Sequence, residues 1–296
     1  MDLATKLRET IKRLPEPKAR KGETASEVAW RRHRLELRQY ILTADITDFL
    51  NWHMLRSTIC LAQSESTKLE LDYLQSLPDW EKRWKVALEE SEVGNPVPNT
   101  YWPAASTTTF KYVFPMARLE ALTGIRVDQI NFVFEFGGGY GGACRSIHRL
   151  GFTGRYLLYD LPEFAALQRY YLEMNRFRVS HLREFLSINS GITCVSEFAH
   201  LKSVLINLPA NSLFLATWSL SETPLLFRKQ LRPLIADFAL YLIGYQNNFR
   251  ELDNKRYFAD WGKATQREVD WHTENYRSRN WQDLNIWLMF GKRKVL

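Results

Sequence analysis

Only three cysteines occur in 296 residues, and Cys60, Cys144 and Cys194 stand far apart with no C-x-x-C pair. That spacing excludes a disulfide framework and a zinc knuckle, and it suits a reducing compartment. Glycine and proline are sparse as well, at 14 and 11 residues, which removes collagen-like and low-complexity readings. No run of about 18 uncharged apolar residues is present. The first ten residues, MDLATKLRET, carry charge where a secretory leader would have an apolar centre. A soluble, cytoplasmic protein without a transmembrane segment is expected. With 45% apolar and 25% charged residues the chain can bury a sizeable core, and it is roughly twice the ~100–150 residues of a typical domain. A catalytic unit with something attached is therefore expected.

The formal charge of +7 is concentrated at the two ends of the chain. Residues 1–40 hold 11 Lys/Arg against 6 Asp/Glu, residues 250–296 hold 10 against 7, and the middle is close to neutral. A basic surplus attracts anions, or it is simply a solvated face. No basic stripe interleaved with aromatics runs along the chain, so nucleic acid is not the expected partner.

From Ala4 to about Leu88 apolar residues recur at spacings of three and four, the mark of a helical layer. SEVGNPVPNT (91–100) closes that layer. A loop rich in aromatics and threonine follows, with Tyr101, Trp102, Thr107, Thr108 and Thr109, and then a short helix ended by Gly124. This loop is expected to fold over the site as a lid, with Tyr101 and Trp102 touching substrate, or to pack as a linker. The domain boundary falls at about 125, which leaves residues 1–125 as the helical part and 126–296 as the catalytic part. Beyond it NFVFEF, GRYLLYD, ITCVSEF, SLFLATWSLS and DFALYLIGYQ read as strands between amphipathic helices, which predicts a doubly wound, Rossmann-like α/β sheet. EVDWHTE (268–274) and DLNIWLMFGKRK (283–294) break the alternation as an antiparallel C-terminal hairpin.

The strongest local signal is the run Phe134-Glu135-Phe136-Gly137-Gly138-Gly139-Tyr140-Gly141-Gly142. Glycines at the carboxyl end of a first strand let the backbone approach a ligand and turn into a helix with free N–H groups. Gly137, Gly139 and Gly142 fit G-x-G-x-x-G, so the glycines alone suit NAD and S-adenosylmethionine equally. Glu135 favours a ligand with an ammonium group over a pyrophosphate. Asp160, closing the second strand, suits a ribose diol in either case. A terminal antiparallel hairpin departs from the dinucleotide pattern and matches the way methyltransferases finish their sheet.

FVFEFGGGYGG, then Asp160-Leu161-Pro162-Glu163, then Ser219-Leu220-Ser221-Glu222 together resemble the sugar O-methyltransferase family of the class I S-adenosylmethionine-dependent methyltransferases, over roughly residues 100–295. The resemblance implies methyl transfer to a sugar hydroxyl, often in bacterial polysaccharide synthesis. It implies that Glu135, Gly137, Gly139, Tyr140 and Gly141 line the methionine part of the cofactor, and that Asp160 and Leu161 hold ribose and adenine. Trp218 and Ser219 are expected beside them.

Transfer from a sulfonium to an alcohol needs alignment and a base, since a sugar hydroxyl does not ionise unaided. His272, on the sixth strand, and Glu222, after the fourth, are the two candidates. Ser221, Gln246 and Asn247 suit hydrogen bonds to sugar hydroxyls. The fifth strand ends in neutral residues, so no metal site is expected. The partner is expected to be a sugar or glycan acceptor. The N-terminal charge suggests an anionic one, nucleotide- or lipid-linked, with Arg31, Arg32 and Arg34 as contacts. The helical layer is also where a homo-oligomer contact is expected. A NAD(P)-dependent oxidoreductase is the alternative that shares the glycine loop.

Overall fold

The computed structural model describes residues 2–60, 62–276 and 286–294. Apolar periodicity and good caps make the N-terminal helices. Helix α1 (Leu3–Arg13) starts at Asp2, whose side chain accepts from the Thr5 N–H, and α2 (Ala25–Thr43) starts at a Thr24/Glu27 capping box. Short helices α3 (His53–Thr58), α4 (Ser66–Gln75) and α5 (Lys85–Leu88) follow. Helix α6 (Thr107–Thr123) is capped by Ser106 and closed by Gly124 in the left-handed region, at φ 70°.

That helix corrects one expectation. Thr107, Thr108 and Thr109 form its buried first turn rather than a loop, and Thr108 lines the cleft. Ser106 caps it, and Glu90 accepts hydrogen bonds from the Ser106 and Thr109 hydroxyls. β-Branched threonines at a helix start, with Pro115 further along, had masked the helical pattern.

Strands and helices then alternate: β1 (Phe132–Phe136), α7 (Gly142–Arg149), β2 (Arg155–Tyr159), α8 (Pro162–Met174), α9 (Leu182–Phe185), β3 (Gly191–Val195), α10 (Phe198–Val204), β4 (Ser212–Thr217), α11 (Leu225–Leu231), β5 (Leu240–Gln246) and α12 (Asn254–Thr265). Strands β6 (Val269–Asn275) and β7 (Ile286–Arg293) end the described chain. The turn expected between them and the first residues of the expected last strand lie outside the described residues.

The seven strands are ordered β3-β2-β1-β4-β5-β7-β6. Neighbours from β3 to β5 are parallel, and β7 runs antiparallel to both β5 and β6. This is the Rossmann-like sheet of class I methyltransferases with its inserted antiparallel strand, preceded by a helical region. Phe132, Phe134 and Phe136 face one layer, with Phe238 and Phe258. Val133 and Leu213 face the other, where Leu7, Ile41 and Phe49 of the helical region share one continuous cluster with Tyr140 and Leu167. The N-terminal helices thus pack on the sheet's own core and cover one side of the crevice at its carboxyl edge. Among the described residues no helix is long and apolar enough to cross a membrane.

Candidate active site

A large cleft opens at the carboxyl ends of β1, β2 and β4, where a doubly wound sheet places its ligands. Its volume is about 1460 Å³, larger than the ~300–1,000 Å³ of most small-molecule sites.

The glycine run forms the floor. Gly137 has φ 74°, and a Cβ on it would lie 2.2 Å from Ser219 Cβ, so the β1 and β4 ends touch through a bare backbone. The Gly139 N–H donates to Asp160 Oδ2 at 3.1 Å. Gln168 Nε2 donates to the same oxygen at 2.8 Å, and the Leu161 N–H to Oδ1 at 2.7 Å. Burial raises the Asp160 pKa while these three donors oppose the rise. The carboxylate therefore braces the glycine loop against the start of α8 as well as bordering the cleft.

Glu135 is the one charged side chain in β1, and it sits on the face shared with the helical region. Its Oε2 accepts from the Tyr156 hydroxyl at 2.8 Å. Burial pushes its pKa up to about 7. Oε1 makes no hydrogen bond among the described residues, and the side chain lines the cleft. An ammonium group would complete this carboxylate and favour its ionised form. Glu135, the bare glycine cradle and Asp160 thus fit a ligand that carries both an amino-acid end and a diol.

On the far side, Glu222 closes the turn after β4. Gln246 Nε2 donates to its Oε1 at 3.2 Å, and Trp30 of α2 lines the same cleft. Burial raises its pKa to about 7. Ser221 Oγ donates to Gln246 Oε1 at 2.8 Å, so Gln246 is held between the two residues. Trp218, at φ 66°, is a non-glycine residue in the left-handed region, and its ring stands 6.2 Å from that of Tyr276. The Ser219 hydroxyl donates to the Phe136 carbonyl.

The cleft brings together Glu135, Gly137, Gly139, Asp160, Leu161, Trp218, Ser219, Glu222 and Gln246. Other expected residues lie elsewhere. His272 pairs in register with Phe290, which in turn faces Leu242 of β5, four residues short of Gln246. At about 3.3 Å per residue this puts it some 13 Å below the carboxyl edge. It is 52% exposed and engages Glu274 at 3.0 Å, so the position does not suit a base at the cleft. Tyr140 turns toward the helical region, with its ring 6.2 Å from that of Phe49 and 4.9 Å from that of Tyr171 on α8. Gly141 caps α7 outside the cleft lining. Trp102 packs edge-on against Trp80, and Tyr101 is exposed, away from the cleft. Ser221 is fully buried beneath the surface. Asn247 accepts from Trp287 Nε1 at 2.7 Å instead of facing the cleft.

No protein-family model matches the chain and no curated protein matches its sequence. Solved structures do overlap it loosely. A precorrin-6Y C5,15-methyltransferase from Geobacter metallireducens is 13% identical, with a TM-score of 0.38 over 61% of this chain and 87% of its own. An rRNA methylase from Streptococcus thermophilus is 12% identical, with a TM-score of 0.39 over 60% of this chain and 96% of its own. The N-terminal domain of human METTL16 is 12% identical, with a TM-score of 0.40 over 63% of this chain and 70% of its own.

The helical region contributes cleft residues that the sequence did not single out. A strap from Pro15 to Thr24 runs along the mouth, and Ile59 lies against Gly139. Lys111 of α6 borders the cleft with Tyr276. Lys111 Nζ donates to Glu70 Oε1 and to the Tyr276 oxygen, both at 2.7 Å, and the Tyr276 hydroxyl donates to Glu70 Oε1 at 2.8 Å. No local motif announces this triangle, because its members are more than 40 residues apart.

Proposed function

We propose that the chain is an S-adenosylmethionine-dependent O-methyltransferase acting on a hydroxyl of a sugar or glycosylated acceptor, with Glu222 as general base and no metal. The observation that carries this reading is the antiparallel β7 between β5 and β6, together with a buried glutamate where a dinucleotide fold would place a pyrophosphate. The bound cofactor supplies an electrophilic methyl and its own leaving group. The chain's residues then have two tasks. Glu135 and Asp160 orient the donor at the β1 and β2 ends, and Glu222 takes the acceptor proton on the β4 side. A carboxylate held near pH 7 is well matched to that role. The aromatic pair Trp218 and Tyr276 suits the apolar face of a sugar ring.

Calorimetric titration with S-adenosylhomocysteine and with NAD tests the cofactor reading, which predicts binding of the first only. Release of S-adenosylhomocysteine from S-adenosylmethionine is then followed against a panel of p-nitrophenyl glycosides and nucleotide sugars. Turnover with a phenol or an RNA hairpin and none with any sugar would overturn the acceptor class while leaving the cofactor assignment intact.

A further inference from the structure

Arg228 on α11 is fully buried, and among the described residues no carboxylate lies within ion-pair distance of it. Such a charge is costly in a protein interior, and an aliphatic side chain would fill the space at less cost. Its guanidinium is packed over the Tyr257 ring, 4.6 Å from the centroid. Burial lowers its pKa to about 10, which leaves it charged at neutral pH. Two of its nitrogens are committed. Nε donates to the Thr223 carbonyl at 2.7 Å and Nη2 to the Ser221 carbonyl at 2.8 Å. These are the carbonyls on either side of Glu222.

The turn that Arg228 grips needs holding. It is a single 3-10 turn, Leu220–Glu222, entered through Trp218 in the left-handed region. The Glu222 carboxylate itself is held by the hydrogen bond from Gln246. We propose that Arg228 is the positioning residue of the acceptor side, a two-pronged clamp on residues 221 and 223 that keeps the Glu222 carboxylate half-buried and aimed into the cleft. This rests on the reading of Glu222 as the base. The clamp acts through the backbone, so it fixes a side chain that it does not touch.

The test is a carbon-13 NMR titration of carboxyl-labelled glutamate, with the Glu222 resonance identified by its loss in Glu222→Gln. Binding of S-adenosylhomocysteine serves as the control for an intact site. In Arg228→Met the freed turn lets water reach the carboxylate, and the Glu222 midpoint should fall by at least one pH unit. Arg228→Lys, which keeps the charge and one hydrogen bond, should give a smaller fall. A through-space effect of the charge alone has the opposite sign, since losing a cation raises a carboxylate's pKa. A midpoint in Arg228→Met that is unchanged or raised overturns the proposal; if that variant does not fold, the same result in Arg228→Lys does so. The titration needs no turnover, which keeps the two readings separable. Full methyl transfer by Glu222→Gln would sink the base assignment and leave the clamp standing, while an unmoved midpoint beside an inactive Glu222→Gln would sink the clamp alone.

Discussion

Gly137 and Ser219 meet across the ends of β1 and β4 with no room for a methyl group: a Cβ on the glycine would lie 2.2 Å from Ser219 Cβ, at φ 74°. Gly137→Ala therefore incurs a left-handed backbone penalty of about 1–2 kcal/mol and forces the two strand ends apart. The melting temperature should drop by several degrees and S-adenosylhomocysteine affinity at least tenfold, read by calorimetry. Gly22→Ala is the control. Gly22 has φ 83° and open space around it, so that variant bears the backbone term alone and should keep its affinity.

Desolvation in its half-buried position pushes the Glu222 pKa up to about 7. A base must be deprotonated to work, so kcat should rise with pH through about 7 and level off above it. Glu222→Gln should lose at least a hundredfold in kcat and lose this rise, as measured by S-adenosylhomocysteine release between pH 5.5 and 9. A rise that survives the substitution would assign it to another group.

Glu135 gives a pH dependence of stability. Its carboxyl is raised from 4.5 to about 7, so between those values the native state keeps a proton that the unfolded chain has released. Stability then falls as pH rises from about 4.5 to 7 and is flat beyond. Asp160 and Glu222, raised in the same way, add to that slope, so urea midpoints of the cofactor-free protein should fall across this range and Glu135→Gln should make the fall shallower without abolishing it. Added S-adenosylhomocysteine should reduce the fall at the upper end, because its ammonium favours the ionised carboxylate.

The sheet was largely legible because parallel strands buried on both faces read as apolar runs, as in Phe132–Phe136 and Leu240–Gln246. The glycine loop was legible because glycine records where the backbone must come close. His272 was misplaced for a reason of register: its position relative to the carboxyl edge depends on pairing with Phe290 and, through it, Leu242, which no local pattern encodes. Tyr140 and Gly141 adjoin the loop in sequence, but the turn into α7 carries them away from the cleft. Arg228 and the Glu70–Lys111–Tyr276 triangle were invisible because a buried charge cannot be told from a surface one until its surroundings are folded.

That triangle ties the helical region to the acceptor side. Lys111 is 1% exposed and Glu70 4%, so Lys111→Met strands a buried carboxylate and should cost about 3–5 kcal/mol in urea unfolding. Tyr276→Phe removes one hydroxyl, costs about 1–2 kcal/mol and keeps the ring beside Trp218. If the pair stacks on a sugar, Tyr276→Phe should leave KM for the best glycoside within about threefold while Tyr276→Ala raises it at least tenfold, with S-adenosylhomocysteine affinity unchanged in both.

The basic N-terminus divides into structural and free charge. Arg34 Nε lies 2.6 Å from Glu163 Oε2, a fully buried carboxylate at the start of α8, and Arg31 is paired with Glu23 at 3.0 Å. Both arginines also line the cleft, so charge reversal at Arg34 breaks a buried ion pair and does not report on acceptor binding alone. Lys18 and Lys21, on the exposed strap along the cleft mouth, make no ion pair among the described residues. An anionic acceptor should feel them: Lys18→Glu with Lys21→Glu should raise KM for a nucleotide sugar at least fivefold at low salt, an effect that shrinks as screening increases. KM for a neutral p-nitrophenyl glycoside should not move. Equal KM values for the nucleotide sugar in both proteins would assign the strap's charge to solvation and leave the acceptor neutral.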